Sequence, residues 1–290
     1  MEKIIPKRVL ILGSTGMLGH MLFYYLKKNK NFKIYDLSFR KKLNQKSLIC
    51  DVNNFFDFKN ILEKIRPEII INSIGILPRD PKFNRINSIS INSLFPQKLR
   101  EISNEFNSKI IQISTDCVFD GKRGKYSEND IPNESKVYGI TKFLGEINSN
   151  KHLTIRTSII GPELKKDGKG LLHWIFNQNG KIKGYDKAIW GGITTLELSK
   201  VIEHCITYNI KGLYHVTNGE SISKYDLLNL VKREFKLDKI EIIQDSSIIY
   251  NRSLISERSD INYKFPSYDK MISELNLFYS FNKDLYSYRF

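Results

Sequence analysis

Arg8-Val-Leu-Ile-Leu12, running directly into Gly13-Ser-Thr-Gly16-Met-Leu-Gly19, constrains this chain more than any other stretch. A short continuous apolar run marks a strand buried on both faces, as in a parallel sheet. Leu18, Met21, Leu22, Tyr25 and Leu26 then recur at helical spacing. Glycines between such a strand and helix allow a tight turn. They also let a pyrophosphate approach the helix N-terminus, where unpaired N–H groups and the helix dipole favour anions. Gly13, Ser14, Thr15, Gly16, Met17, Leu18 and Gly19 are therefore candidate dinucleotide contacts. A structural turn alone also explains a glycine triplet, and it is the strand-to-helix placement that favours the dinucleotide.

The same rhythm continues. Phe32–Leu37, Leu48–Asp51, Glu68–Asn72, Lys109–Ser114 and His152–Arg156 read as further strands. Helices are expected over 55–65, from about Arg85 to Phe106 with a kink or break at Pro96, and from Tyr138 to about Asn148. Strand–helix alternation predicts an α/β fold, a Rossmann-type doubly wound parallel sheet whose ligands bind outside the carboxyl ends of the strands. Residues 1–156 are read as the dinucleotide-binding domain. Residues 157–290 are read mainly as a smaller C-terminal substrate lobe, with part of its chain returning to the sheet. That part carries expected helices over 170–178, 195–208 and 223–235 and a strand at 213–216, and Gly161, Gly168, Gly180 and Gly184 punctuate it.

Strand ends supply the remaining cofactor candidates. Asp36 closes the second strand, where a carboxylate would hold the ribose 2′-hydroxyl of NAD; Arg40 follows, where a guanidinium would accept the 2′-phosphate of NADP. A solvated basic loop accounts equally well for Arg40 and its neighbours Lys41 and Lys42. Asp51 would either face adenine or cap the next helix. Ser73, Ile74 and Gly75 would lie against the cofactor. Asn92 would either satisfy buried backbone or support a proton relay.

Thr115 stands at the mouth of the fifth strand, and Tyr138 and Lys142 lie four residues apart on one helix face. A phenol titrates near pH ~10, so a neighbouring ammonium would let it exchange protons near neutrality. That suits proton transfer to a carbonyl undergoing reduction.

Composition narrows the classes. Hydrophobic content of 41% and charged content of 27% belong to an ordinary globular chain. The net charge of +15 is lysine spread along the whole length without a basic block, which argues against a nucleic-acid partner. Cys50, Cys117 and Cys205 lack metal or disulfide spacing, so no metal site is expected and a reducing cytoplasm fits. No apolar run reaches the ~18 residues of a membrane span, and the first one is too short for a signal-peptide core.

The glycine motif, Ser114-Thr-Asp-Cys-Val-Phe-Asp-Gly121, Tyr126-Ser-Glu128 with Pro132, and Tyr138-Gly-Ile-Thr-Lys142-Phe-Leu-Gly145-Glu146 come in one order. Together they resemble the extended short-chain dehydrogenases/reductases, in the branch of dTDP-4-dehydrorhamnose reductase. Leu213-Tyr-His-Val-Thr-Asn-Gly219 and Tyr225-Asp226 echo the C-terminal half of that family. The resemblance implies that Tyr138 protonates the nascent alkoxide, that Lys142 lowers its pKa and bonds the nicotinamide ribose, and that Thr115 bonds the keto oxygen. It implies Gly16, Met17 and Leu18 at the pyrophosphate, Asp51 and Val52 beside adenine, Ile74 and Gly75 along the dinucleotide, and Asp116 at the substrate. Two departures stand out. Ile159 occupies a position where the family usually has a tryptophan against the sugar, and Ala188-Ile-Trp-Gly-Gly-Ile-Thr194 replaces the usual Asp-Gln-Tyr-Gly-x-Pro-Thr. Trp190, like His173 and Trp174, would either line the sugar pocket or pack in the core.

The expected activity is NADPH- or NADH-dependent reduction of the 4-keto group of a nucleotide-diphosphate deoxysugar, for surface-polysaccharide precursors. An epimerase or 4-dehydrogenase with the same triad, and a dinucleotide-binding regulatory subunit without turnover, are the alternatives. A homodimer is compatible with all three.

Overall fold

The computed structural model describes residues 5–288. Its first half runs β1 (Lys7–Leu12), α1 (Met17–Leu26), β2 (Phe32–Ser38), β3 (Leu48–Ile49), α2 (Phe55–Ile65), β4 (Ile69–Asn72), α3 (Arg85–Ser88), α4 (Phe95–Glu105), β5 (Lys109–Ile113), α5 (Val137–Leu144) and β6 (Leu153–Arg156). Then follow β7 (Ile159–Ile160), α6 (Leu171–Phe176), β8 (Gly180–Tyr185), β9 (Ala188–Trp190), β10 (Ile193–Thr194), α7 (Thr195–Thr207) and β11 (Gly212–His215). The chain closes with β12 (Ile222–Ser223), α8 (Lys224–Phe235), β13 (Ile240–Asp245), β14 (Tyr250–Asn251) and α9 (Tyr268–Phe281).

Seven strands form one parallel sheet in the order β11-β6-β5-β4-β1-β2-β3. Chain order reverses between β1 and β4, and there the crevice opens for a ligand. Alternation along β1 explains the two helical layers. Val9 and Ile11 join a core with α1 and α7, while Leu10 and Leu12 join one built on Phe58, Leu62, Leu99 and Ile102 of α2 and α4. All four β1 side chains are fully buried, each contributing roughly 1.5–3 kcal/mol.

Three expectations need correction. The 85–106 segment does not break at Pro96; it passes through a π-helical turn, Ile89–Leu94, and continues as α4 with Pro96 in the first turn. Proline has no N–H to offer the carbonyl four residues back, which is Asn92, and the wider turn absorbs the defect. Helix α5 stops at Leu144 rather than near Asn148. A Cβ on Gly145 would lie 1.8 Å from the Asn92 carbonyl oxygen, so only glycine lets α5 pass that close. In the C-terminal part, β8 and β13 pair in parallel with α8 crossing between them, and α9 packs on α7 and α8. None of β8, β13 and α9 was expected. β11 does return to the sheet, beside β6.

Candidate active site at the carboxyl edge of the sheet

Thr115 follows β5 and caps a 3-10 turn, Asp116–Val118, by accepting the Cys117 N–H at 3.1 Å. Its hydroxyl donates to the Asp116 carboxylate at 3.0 Å. The buried Lys142 donates to the Ile113 carbonyl at 2.7 Å, at the end of the same strand. Tyr138 reaches the same place from the first turn of α5, close enough to Thr115, Asp116 and Cys117 for them to act on its phenol. The three expected side chains thus converge.

Their electrostatics depart from expectation. Burial pushes the Tyr138 phenol above its ordinary value; Cys117 and Asp116 add to the rise, and the Thr115 hydrogen bond opposes it. Lys142 is not among the groups that shift this phenol. Burial brings Lys142 itself down to about 8, with the Glu146 carboxylate opposing. The phenol is therefore held as an acid, and the ammonium is committed to a strand carbonyl.

Glu146 is the anchor beneath them. Its carboxylate accepts from Ser114 Oγ at 2.6 Å and from Arg156 Nε and Nη2, each at 2.8 Å, in a pair almost wholly buried. It ties the ends of β5, α5 and β6 together.

The glycine turn lies at the topological reversal. Gly13 has φ +82°, and a Cβ on Gly19 would come within 2.1 Å of the Gly13 carbonyl oxygen, so turn and helix interlock only with glycine. Gly16 caps α1 without any side-chain cap, with Met17, Leu18 and Gly19 in the first turn, which carries no acidic residue. Its leading N–H groups are orphan donors facing the crevice. Ser14, followed by Thr15 in the turn, donates to Asp36 at 2.8 Å, and Asn44 holds the other Asp36 oxygen at 3.0 Å. Arg40 packs on a ring: its guanidinium lies 4.9 Å from the Phe39 ring, shared with Lys82 at 5.2 Å. Across the crevice Ser73 donates to the Leu12 carbonyl, Ile74 packs on the core, and Gly75 is exposed. A Cβ on Gly75 would sit 3.5 Å from Asn92 Oδ1 and 3.9 Å from Lys142 Nζ. Asn92 spends its amide on both backbone groups of Ile76 and on Thr141, so it holds this loop and α5 in place. Val52 is buried; Asp51 is exposed and does not cap α2, a role taken by Asn54.

On the C-terminal side, Ile159 is partly buried, and Trp190 is buried with its indole N–H on Ser158 Oγ at 2.9 Å. His173 bonds Tyr288 and Trp174 packs on the core, so both belong to the aromatic interior. Two charged residues not expected from sequence join the site. Arg252 pairs with Glu134 at 2.7 Å and donates to the Phe119 carbonyl. Lys224 places its ammonium 5.3 Å from the Trp190 ring. Lys224 immediately precedes Tyr225-Asp226, which was a readable signal; Arg252 lies in a coil with no pattern of its own. Two loops meet above the glycine turn: Arg79 donates to the Lys169 carbonyl at 3.3 Å, and a Cβ on Gly170 would fall 2.3 Å from the Met17 methyl.

The family model described as RmlD substrate binding domain matches residues 7–253. The dTDP-4-dehydrorhamnose reductase of Aggregatibacter actinomycetemcomitans is 29% identical over 248 residues, covering 80% of this chain and 81% of that protein. Methionine adenosyltransferase 2 subunit beta of Bos taurus is 26% identical over 270 residues, covering 86% of this chain and 79% of that protein. Among solved structures, dTDP-4-dehydrorhamnose reductase of Bacillus anthracis in complex with NADP superposes with a TM-score of 0.80 at 22% identity, over 94% of this chain and 99% of that one. With its glycine turn, its Thr115, Tyr138 and Lys142 cluster and a match across most of its length, the chain belongs to the RmlD substrate binding domain family, the dTDP-4-dehydrorhamnose reductase type of extended short-chain dehydrogenase/reductase.

Proposed function

We propose that this protein is an NAD(P)H-dependent reductase of the 4-keto group of a nucleotide-linked deoxysugar. The observation that carries the reading is the convergence of Thr115, Tyr138 and Lys142 at the end of β5, beside the crevice opened by the β1–β4 reversal. The residues fit a dinucleotide: uncapped N–H groups at α1, a Gly75 loop without a side chain, and a lysine head beside it. A bound reduced nicotinamide would supply the hydride. Tyr138, kept protonated by its surroundings, is suited to deliver a proton to the carbonyl oxygen, and Thr115 to bond that oxygen. Lys142 would bond the ribose, and Asp116 and Trp190 would stand on the substrate side. Residues 157–290 would supply that side as the second lobe.

A preference for NADPH rests on Arg40 and its neighbours. With both Asp36 oxygens engaged by Ser14 and Asn44, the exposed cations Arg40, Lys41 and Lys42 beyond β2 are the groups that would meet a 2′-phosphate. Ile159 and the 188–194 segment favour a sugar other than 4-dehydrorhamnose, since a lost aromatic wall contributes on the order of 1–3 kcal/mol to discrimination.

The regulatory reading is favoured by the relatives named methionine adenosyltransferase 2 subunit beta. One assay separates the readings: incubation with NADPH and dTDP-, UDP- and GDP-linked 4-ketosugars while following the reduced nicotinamide. Oxidation supports the reductase, sugar isomerisation without oxidation an epimerase, and binding without either a regulatory subunit.

A further inference from the structure

Helix α8 begins at Lys224, behind a Ser223 cap that accepts the Asp226 N–H at 3.0 Å, so the lysine backbone is fixed at the first turn. Its ammonium lies over Trp190, close enough to Asp116, Cys117 and Arg79 for their charges to act on it. That places it among the turn after β5, the loop after β4 and β9.

The neighbouring cations are committed. Arg252 has Glu134 and the Phe119 carbonyl, Lys142 has the Ile113 carbonyl, and Arg79 has the Lys169 carbonyl. Lys224 has only the indole face: among the described residues its ammonium makes no hydrogen bond and no ion pair. Asp116 is a poor counterion, because its carboxylate accepts the Thr115 hydroxyl and burial raises its pKa. Burial brings Lys224 down to about 8, against the pull of Asp116. Three N–H donors on a half-buried side chain, without a hydrogen-bond partner among the described residues, call for an oxygen-rich anion. The dinucleotide pyrophosphate does not meet this need, since its expected seat is the glycine turn at α1.

We propose that Lys224 is the specificity residue that holds the diphosphate of the nucleotide-linked substrate. The assignment rests on the nucleotide-sugar reading above and adds to it the group that recognises the substrate's charge. A phosphate suits a compact ammonium on a flexible stem, which binds as a point charge and needs no planar partner.

The test is calorimetric titration of the full-length protein, saturated with NADP⁺ so that the dinucleotide site is closed to competitors. The ligands are dTDP, UDP, GDP, inorganic pyrophosphate and the corresponding free nucleosides. For whichever diphosphate binds the wild type, Lys224→Met should weaken binding by about tenfold or more, and Lys224→Arg should stay within about threefold. Lys239→Met, which removes one exposed charge elsewhere, should change nothing, and NADP⁺ affinity and free-nucleoside binding should be unaltered in every variant. Equal diphosphate affinity in wild type and Lys224→Met overturns the assignment and leaves the reductase reading standing. Equal weakening of nucleoside and diphosphate also overturns it, by showing a structural role. A wild type that binds none of these ligands overturns both.

Discussion

Lys142 lies in the last turn of α5 and Glu146 just beyond it, and their coupling makes a prediction at the scale of single residues. The Glu146 carboxylate holds the Lys142 pKa up against burial, so removing its charge lets that pKa fall below about 8. Glu146→Gln should therefore move the alkaline loss of activity to lower pH, since the charged lysine disappears sooner. It should also destabilise the fold by about 3 kcal/mol, because Arg156 is left buried without its counterion. A pH–rate profile and a denaturation curve check the two effects separately. Tyr138→Phe should abolish turnover and leave dinucleotide affinity intact, because it deletes the acid without touching the glycine turn; near-normal turnover would sink the mechanism. Arg40→Ala should lower the NADPH to NADH efficiency ratio, and an unchanged ratio would make the guanidinium only a partner of Phe39. Tyr138 and Lys142 were legible because a spacing of four fixes two side chains on one helix face whatever surrounds it. Lys224 was marked only by its place before Tyr225-Asp226, and Arg252 by nothing, because their place in the site depends on where distant segments fold back.

At the scale of elements, the contact between α5 and the π-helical turn is where a single methyl should matter most. Gly145→Ala would drive a Cβ to 1.8 Å from the Asn92 oxygen, and is expected to cost about 2–3 kcal/mol and to lower turnover by displacing α5. Gly180→Ala is the contrast: its φ is +69° with nothing within 4 Å, so only about 1 kcal/mol of backbone strain is expected. Paired urea titrations measure both. The parallel strands were readable because β1, β4 and β5 are buried on both faces and are apolar almost throughout. β8 and β13 escaped because each is half exposed and neither is an unbroken apolar run: β8 holds two glycines and two lysines, and β13 ends in Gln244 and Asp245. For α9 the signal was present: Tyr268, Met271, Ile272, Leu275, Phe278 and Tyr279 recur at helical spacing behind a Ser267 cap. The π-helical turn had no such signature, since it arises from Pro96 and Gly145 acting across two elements.

Over the whole molecule, neutral histidines join its layers. His20 sits between the Gly16 carbonyl and the Tyr286 hydroxyl, and His152 Nδ1 accepts the Ile110 N–H. Burial lowers both from 6.5 to about 4. Since the unfolded chain takes up these protons first, stability is full above pH ~6.5 and falls as pH drops toward 4. Each ring contributes up to roughly 3 kcal/mol of that loss. Denaturation midpoints near neutrality and at about pH 5 should show this, and a His152→Gln variant should show a shallower decline. The meeting of the Arg79 and Lys169 loops over the glycine turn bears on timing. With these two loops latched over the glycine turn, dinucleotide is expected to enter first and leave last. Product-inhibition patterns should accordingly show oxidised dinucleotide competing with reduced dinucleotide alone, and Arg79→Ala, by unlatching the roof, should speed its departure.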